Sequence, residues 1–308
     1  MSRTEDGMTW IEGGRFLMGS NAHYAEEAPA HEVDVAGFWI DRDPVTNAQF
    51  ARFVEATGHV TLAERPADPA QYPGADPAML VPASVVFIPT AGPIDLGNPY
   101  AWWHYVAGAD WRHPRGPETG IEALADHPVV HVAFEDALAY AQWAGKSLPT
   151  EAEWEFAARG GRVGGEFAWG DELAPGGVHL ANTWQGEFPW QNLREDGHQW
   201  TSPVGAYPPN GHGLHDMIGN VWEWTQDWYQ LHASAAQGCC GPRGRRQGSA
   251  EASVADGDPA RVPRRVTKGG SHLCAPNYCR RYRPAARMAQ PVDTSTCHLG
   301  FRCVSRER

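Results

Sequence analysis

The chain has 308 residues, 42% of them hydrophobic and 20% charged, so it can bury a sizeable core, and disorder as its main state is excluded. A formal net charge of −12 argues against a nucleic-acid partner, which takes a basic face, and no apolar run is long enough to span a bilayer. Gly 34 and Pro 25 signal many turns and little regular structure, while 14 Trp is a density that lines grooves as well as cores. The opening Met1-Ser-Arg-Thr-Glu-Asp6 is polar and acidic and does not read as a signal peptide, so the cytoplasm is the expected address.

In chain order, Met8–Ile11 and Phe16–Met18 flank Gly13-Gly14, which predicts an N-terminal hairpin. His31–Ile40 alternates through Val33 and Val35 and reads as one strand. Thr46 with Gln49 forms a capping box that opens a helix ending at Gly58, with Phe50, Phe53 and Val54 on its apolar face. Residues 61–125 are irregular and hold an aromatic cluster of Tyr100, Trp102, Trp103, Tyr105 and Trp111; loops of such length in compact domains tend to be functional. Glu135–Ala144 is helical and closed by Gly145, and a second capping box, Thr150 with Glu153, opens a helix that stops at Gly160-Gly161. Beyond it the chain reads as turns and short runs, with strands at Val266–Lys268 and Phe301–Val304. Residues 232–263 carry almost no large apolar side chains and read as an exposed insertion. With no internal repeat and no composition break, one domain over 1–308 is the expectation.

All six cysteines, Cys239, Cys240, Cys274, Cys279, Cys297 and Cys303, lie in the final quarter. Such clustering in a reducing compartment points to metal or redox chemistry rather than a stapled secreted fold. Cys274 and Cys279 stand five apart after Gly269-Gly270 and beside several arginines, and nearby positive charge favours thiolate. The spacing alone is compatible with a redox disulfide, with part of a zinc site completed by Cys297, Cys303 or a histidine, or with a soft-metal pair.

Five segments together carry a resemblance. They are Leu148-Pro-Thr-Glu-Ala-Glu-Trp-Glu155, Ala181-Asn-Thr-Trp-Gln-Gly186, Gly219-Asn-Val-Trp-Glu-Trp224, Gly269-Gly-Ser-His-Leu-Cys274 and Leu299-Gly-Phe-Arg-Cys303. In this order, and following Ile11-Glu-Gly-Gly14, they resemble the formylglycine-generating enzymes of the sulfatase-modifying-factor family, bacterial type. The resemblance implies a single α+β domain, C-type-lectin-like and poor in regular secondary structure. It implies an oxidase that uses O2 to convert the cysteine of a Cys-X-Pro-X-Arg segment in an unfolded or nascent sulfatase to Cα-formylglycine. Cys274 and Cys279 match the family's Cu(I) ligands, a linear bis-thiolate joined by the substrate thiolate. Ser271 matches a serine of the oxygen pocket and Trp222 a pocket tryptophan. Trp102 and Trp103 match aromatics flanking the peptide groove, and His298 stands where many relatives have asparagine beside the substrate thiol. Two structural Ca2+ sites are implied as well: Asn182, Thr183, Asp196 and His198 for one, Asp216, Gly219, Val221 and Glu223 for the other, oxygen ligands suiting a hard cation. Asp216 replaces an asparagine common in relatives. Cys239, Cys240, Cys297 and Cys303 are read as non-catalytic, and a monomer without nucleic-acid or membrane partner is expected.

Two rival readings belong to other classes. One is a non-catalytic peptide- or carbohydrate-binding member of the same superfamily, against which two thiols after Gly-Gly-Ser argue. The other is a non-haem iron enzyme with a three-histidine site, for which no His-rich helix is present.

Overall fold

Alternating apolar positions build the N-terminal strands, but their pairing differs from the expected hairpin. The computed structural model describes residues 4–5, 7–72, 74–232 and 248–306. In it β2 (Met8–Ile11) pairs with β5 (Phe38–Asp41), and β3 (Gly14–Met18) pairs with β4 (His31–Val35), all antiparallel. Gly13 is therefore not a hairpin turn. A Cβ there would stand 2.5 Å from the Val35 carbonyl oxygen and 2.6 Å from the Gly37 nitrogen, so glycine lets the two bent ribbons cross closely. The single strand read over 31–40 is broken at the same place, between β4 and β5. With β1 (Thr4–Glu5) and β12 (Val304–Ser305), β2 and β5 complete a sheet of order β1-β2-β5-β12 that joins the two ends of the chain.

The helices stand where their caps place them. Helix α1 (Asn47–Thr57) starts with reciprocal Thr46–Gln49 hydrogen bonds, 3.3 and 2.8 Å, and ends at Gly58 with φ 68°. Helix α2 (Phe134–Trp143) ends before Gly145, and α3 (Glu151–Ala158) has the Thr150–Glu153 box. The stretch 61–125 is less irregular than expected, because β6 (Ala83–Phe87) and β7 (Trp103–Ala107) form an antiparallel hairpin within it.

A second sheet, order β10-β9-β8-β11, supports the cysteine-rich end. It contains β8 (Trp222–Trp228), β9 (Arg264–Lys268), β10 (Arg287–Pro291) and β11 (Leu299–Gly300), with β11 parallel to β8. Phe301–Cys303 continues as irregular chain where a strand was expected. A one-turn helix α4 (Ala250–Ser253) lies inside the expected insertion, and its Ser253 is buried with its hydroxyl accepting Arg264 N–H at 2.9 Å. Residues 233–247, with Cys239 and Cys240, lie outside the described residues. Among the described residues no helix is long and apolar enough to cross a membrane.

Four ion pairs are buried in the interior. Glu223 with Arg302, Glu155 with Lys268, Glu151 with Arg287 and Glu27 with Arg283 form contacts of 2.5–2.9 Å between fully or nearly fully buried groups. Breaking one partner of such a pair strands a charge, which fixes α3, β9 and the 280–303 segment relative to one another.

Candidate active site

Gly269 and Gly270 hold φ of 94° and 70°, and a Cβ on Gly270 would lie 2.8 Å from Arg281 O and Tyr282 N. Glycine thus lets segment 281–282 return against the loop that carries the cysteines. The loop then tightens: Cys274 N–H donates to Ser271 O and Cys279 N–H to Ala275 O, both at 2.9 Å. One helical turn between the cysteines brings their Sγ atoms to 3.3 Å, with both thiols free. That is non-bonded contact, since a disulfide measures about 2.05 Å.

The two thiols differ. Burial and the hydrogen bond to Cys279 push Cys274 well up. The hydrogen bond from Cys274 and the Arg281 guanidinium, Nη1 3.8 Å from Cys279 Sγ, bring Cys279 down. The two shifts run in opposite directions and favour the thiolate on Cys279 over Cys274.

Ser271 and His298 meet beside them. The Ser271 hydroxyl oxygen accepts Leu273 N–H at 3.2 Å and shares a hydrogen bond with His298 Nδ1 at 2.9 Å. Burial, with His272 and His131 nearby, holds His298 well below the ordinary histidine range, which favours the neutral ring. Trp222 N–H donates to the His298 carbonyl at 2.8 Å, and its indole lies in the core cluster that contains Cys274. The Trp103 ring lies 4.8 Å from that of His298. These expected site residues therefore converge.

Trp102 does not. It is fully buried behind Phe188 and Tyr278, 5.5 Å from each, so it supports the site instead of facing a peptide. The exposed aromatic face belongs to Tyr278, stacked on Phe188 at 4.4 Å and 38% exposed. Sequence reasoning also missed Asn220. Its αL backbone, φ 55°, sets its buried side chain between Ser202 N and O, while its carbonyl accepts His272 N–H and Nδ1–H. The Gly-Asn dipeptide was the available signal.

Cys297 and Cys303 lie apart from this chemistry. Cys297 Sγ accepts Phe87 N–H at 3.2 Å and burial pushes its thiol up to about 12. Burial and Asp41 push Cys303 well up. Among the described residues no three His, Cys, Asp or Glu side chains gather around a common point for a metal. A zinc site completed by Cys297, Cys303 or a histidine, and a three-histidine iron site, are thereby left without ligands; the thiol pair remains.

The family model for the sulfatase-modifying factor enzyme 1-like domain matches residues 1–307. The chain belongs to this family. It is 54% identical over 298 residues to the formylglycine-generating enzyme of Mycobacterium tuberculosis, covering 96% of each chain. The Streptomyces coelicolor enzyme of the same name is 46% identical over 98% of this chain and 90% of its own. This similarity places the chain among the formylglycine-generating enzymes, as the motifs implied. A mouse relative named inactive C-alpha-formylglycine-generating enzyme 2 is 38% identical over 97% of this chain and 85% of its own. The solved structure of PvdO from Pseudomonas aeruginosa shares the fold, with TM-score 0.64 and 23% identity over 96% of this chain and 93% of that one.

The two expected calcium sets differ in chemistry. In the first, the Asp196 carboxylate receives only neutral donors, His198 N–H at 2.9 Å and Tyr207 O–H at 2.8 Å. The Gln185 amide ties Thr183 O to Asp196 N, and Asn182 is buried beside them. Oxygen donors around an acid without a cation fit a hard ion. In the second, both Glu223 oxygens accept from Arg302 at 2.8 Å, and one also accepts Trp154 Nε1–H at 2.7 Å. A built-in guanidinium already neutralises this carboxylate, so Asp216, Gly219, Val221 and Glu223 do not fit as one calcium set. Asp216 itself, bound to Gly205 N–H at 2.8 Å, is raised by burial to about 6.

An acidic cavity of about 530 Å³ opens beside β6 and β7, lined by Asp68, Glu135 and Asp293 with Arg65 as the single lining cation. Arg65 is paired to Glu135, and Tyr72 O–H donates to Asp293.

Proposed function

We propose that this protein is a copper-dependent oxidase that converts the cysteine of a Cys-X-Pro-X-Arg segment in an unfolded sulfatase to Cα-formylglycine with O2. The observation that carries the reading is the free Cys274–Cys279 pair, its Sγ atoms 3.3 Å apart, with Cys274 buried and Cys279 partly buried beside Arg281. Two soft thiol donors fit Cu(I), and bound copper would supply the one-electron chemistry toward O2 that no side chain here provides. Cys274 and Cys279 would hold the ion. Ser271 stays fixed by Leu273 N–H and His298, so its oxygen is held still at the reacting centre. A neutral His298 ring offers one N–H donor where an asparagine amide would offer another, so the substitution brings no change of charge. An extended peptide meets Trp103 and Tyr278 as apolar faces for its proline, and the acidic cavity suits its arginine.

The enzyme acts in this reading as a cytoplasmic monomer on clients before they fold. The deciding experiment incubates a Cys-X-Pro-X-Arg peptide with copper-loaded protein in air. A loss of about 18 mass units, the change from a thiol-bearing carbon to an aldehyde, supports the oxidase. Binding without mass change favours the non-catalytic reading instead.

Calcium is proposed at Asn182, Thr183, Asp196 and His198 alone. Chelation should then lower thermal stability without removing copper, by about 3 kcal/mol at a hundredfold excess of ion over Kd. A melting curve that stays unchanged when calcium is shown to be gone removes the ion from the account.

A further inference from the structure

The loop between β3 and β4 reaches across the molecule to the thiol pair. Arg281, whose Nη1 faces Cys279 Sγ at 3.8 Å, is held on its other side by Glu26 Oε1, 3.1 Å from Nε and 2.6 Å from Nη2. The Tyr24 ring lies under the guanidinium at 3.9 Å, and the Tyr24 hydroxyl accepts Arg280 N–H at 3.0 Å. Next in the loop, buried Glu27 binds both Nη atoms of Arg283. Tyr24 fixes the plane of the guanidinium and Glu26 fixes its rotation within that plane. What remains free is the edge that meets sulfur. Arginine carries several rotatable bonds, and an untethered one spends its time in solvent.

We infer that Tyr24 and Glu26 are positioning residues for Cys279, acting through Arg281 to hold a donor edge against its sulfur. The inference rests on the reading of Cys274 and Cys279 as a soft-metal pair. It is tested without turnover, so that its failure and the failure of the oxidase reading remain distinguishable.

The probe is Ag+ alone, with affinity for the full-length metal-free protein measured by competition with a chelator, and melting temperature recorded for every variant. Glu26→Ala and Tyr24→Ala should each weaken Ag+ binding about tenfold, the effect of one displaced charge-assisted contact to a partly buried thiolate. Glu26→Gln keeps an acceptor oxygen for the guanidinium and Tyr24→Phe keeps the ring, so both should stay within about twofold of wild type. Both Glu26 variants remove the same charge, so a difference between them reads orientation and not net charge. In an Arg281→Ala background, Glu26→Ala should add nothing, because its route to the sulfur is gone. Equal effects of Gln and Ala at position 26, or full additivity with Arg281→Ala, would overturn the inference. So would a peptide Kd, measured at equilibrium on the metal-free protein, that rises while Ag+ affinity holds, which makes Arg281 a substrate contact.

Discussion

Two pairs of cysteines occupy the same cluster of sequence and behave as different chemical groups. Cys274 and Cys279 touch each other and sit within reach of Arg281, and one of them is drawn toward thiolate. Cys297 and Cys303 are buried and both thiols are pushed up, Cys303 even though Lys146 draws it down. Desolvation acts on all four. What separates the pairs is a neighbouring thiol and a tethered guanidinium, so reactivity here belongs to the neighbourhood and not to the residue type.

The largest test of that contrast is turnover. Cys274→Ser and Cys279→Ser should each lower activity by roughly a thousandfold or more with the fold intact, because a hydroxyl is a poor soft-metal ligand. Cys297→Ser should keep activity near wild type. If Cys297→Ser matched the loss at Cys279, the division between the pairs would be wrong.

Labelling sharpens the same division with a smaller effect. At pH 7 in metal-free protein, iodoacetamide should modify Cys279 about a hundredfold faster than Cys297 or Cys303, since thiolate fraction and access both favour it. Peptide mapping of the alkylated chain checks this. Comparable labelling of Cys303 would show that the interior opens more readily than its packing implies.

The neutral interior around Cys297 makes a third, smaller prediction. His131 and His272 are fully buried, and burial lowers both from 6.5 to about 4. Below pH 6.5 the unfolded chain binds protons that the native imidazoles refuse, so stability falls as pH drops from 6.5 toward 4 and is level above it. Each histidine should cost about 1.4 kcal/mol at pH 5.5, read by denaturant melts across that range. A flat profile between pH 7 and 5 would mean that these rings are already charged or wet. The orphaned His272 Nε2, buried without a protein partner, is where such water would sit.

Local signals in the sequence determined the three long helices. Thr46 with Gln49 and Thr150 with Glu153 satisfy backbone donors within four residues, and Gly58 supplies the left-handed end. Such interactions involve no distant partner, which is why they read directly from the chain. The thiol pair and its Gly-Gly lead were legible for the same reason, five residues apart on one turn. The strand pairing was not. Gly13 reads as a turn until Val35 and Gly37 are seen against it, because close approach by a remote backbone leaves no local mark. Trp102 and Trp103 are adjacent in sequence, yet the turn that ends at Trp102 sends it into the core while Trp103, opening β7, meets His298. Glu223 looked like a calcium ligand from its motif until Arg302, 79 residues on, took both its oxygens. Tyr24 and Glu26 carry no sequence signal at all, because Arg281 lies 255 positions beyond Glu26. Sequence determined the groups that act within a turn of one another; the tertiary structure decided which charges meet, because Coulomb and hydrogen-bond partners are chosen by distance in space, not along the chain.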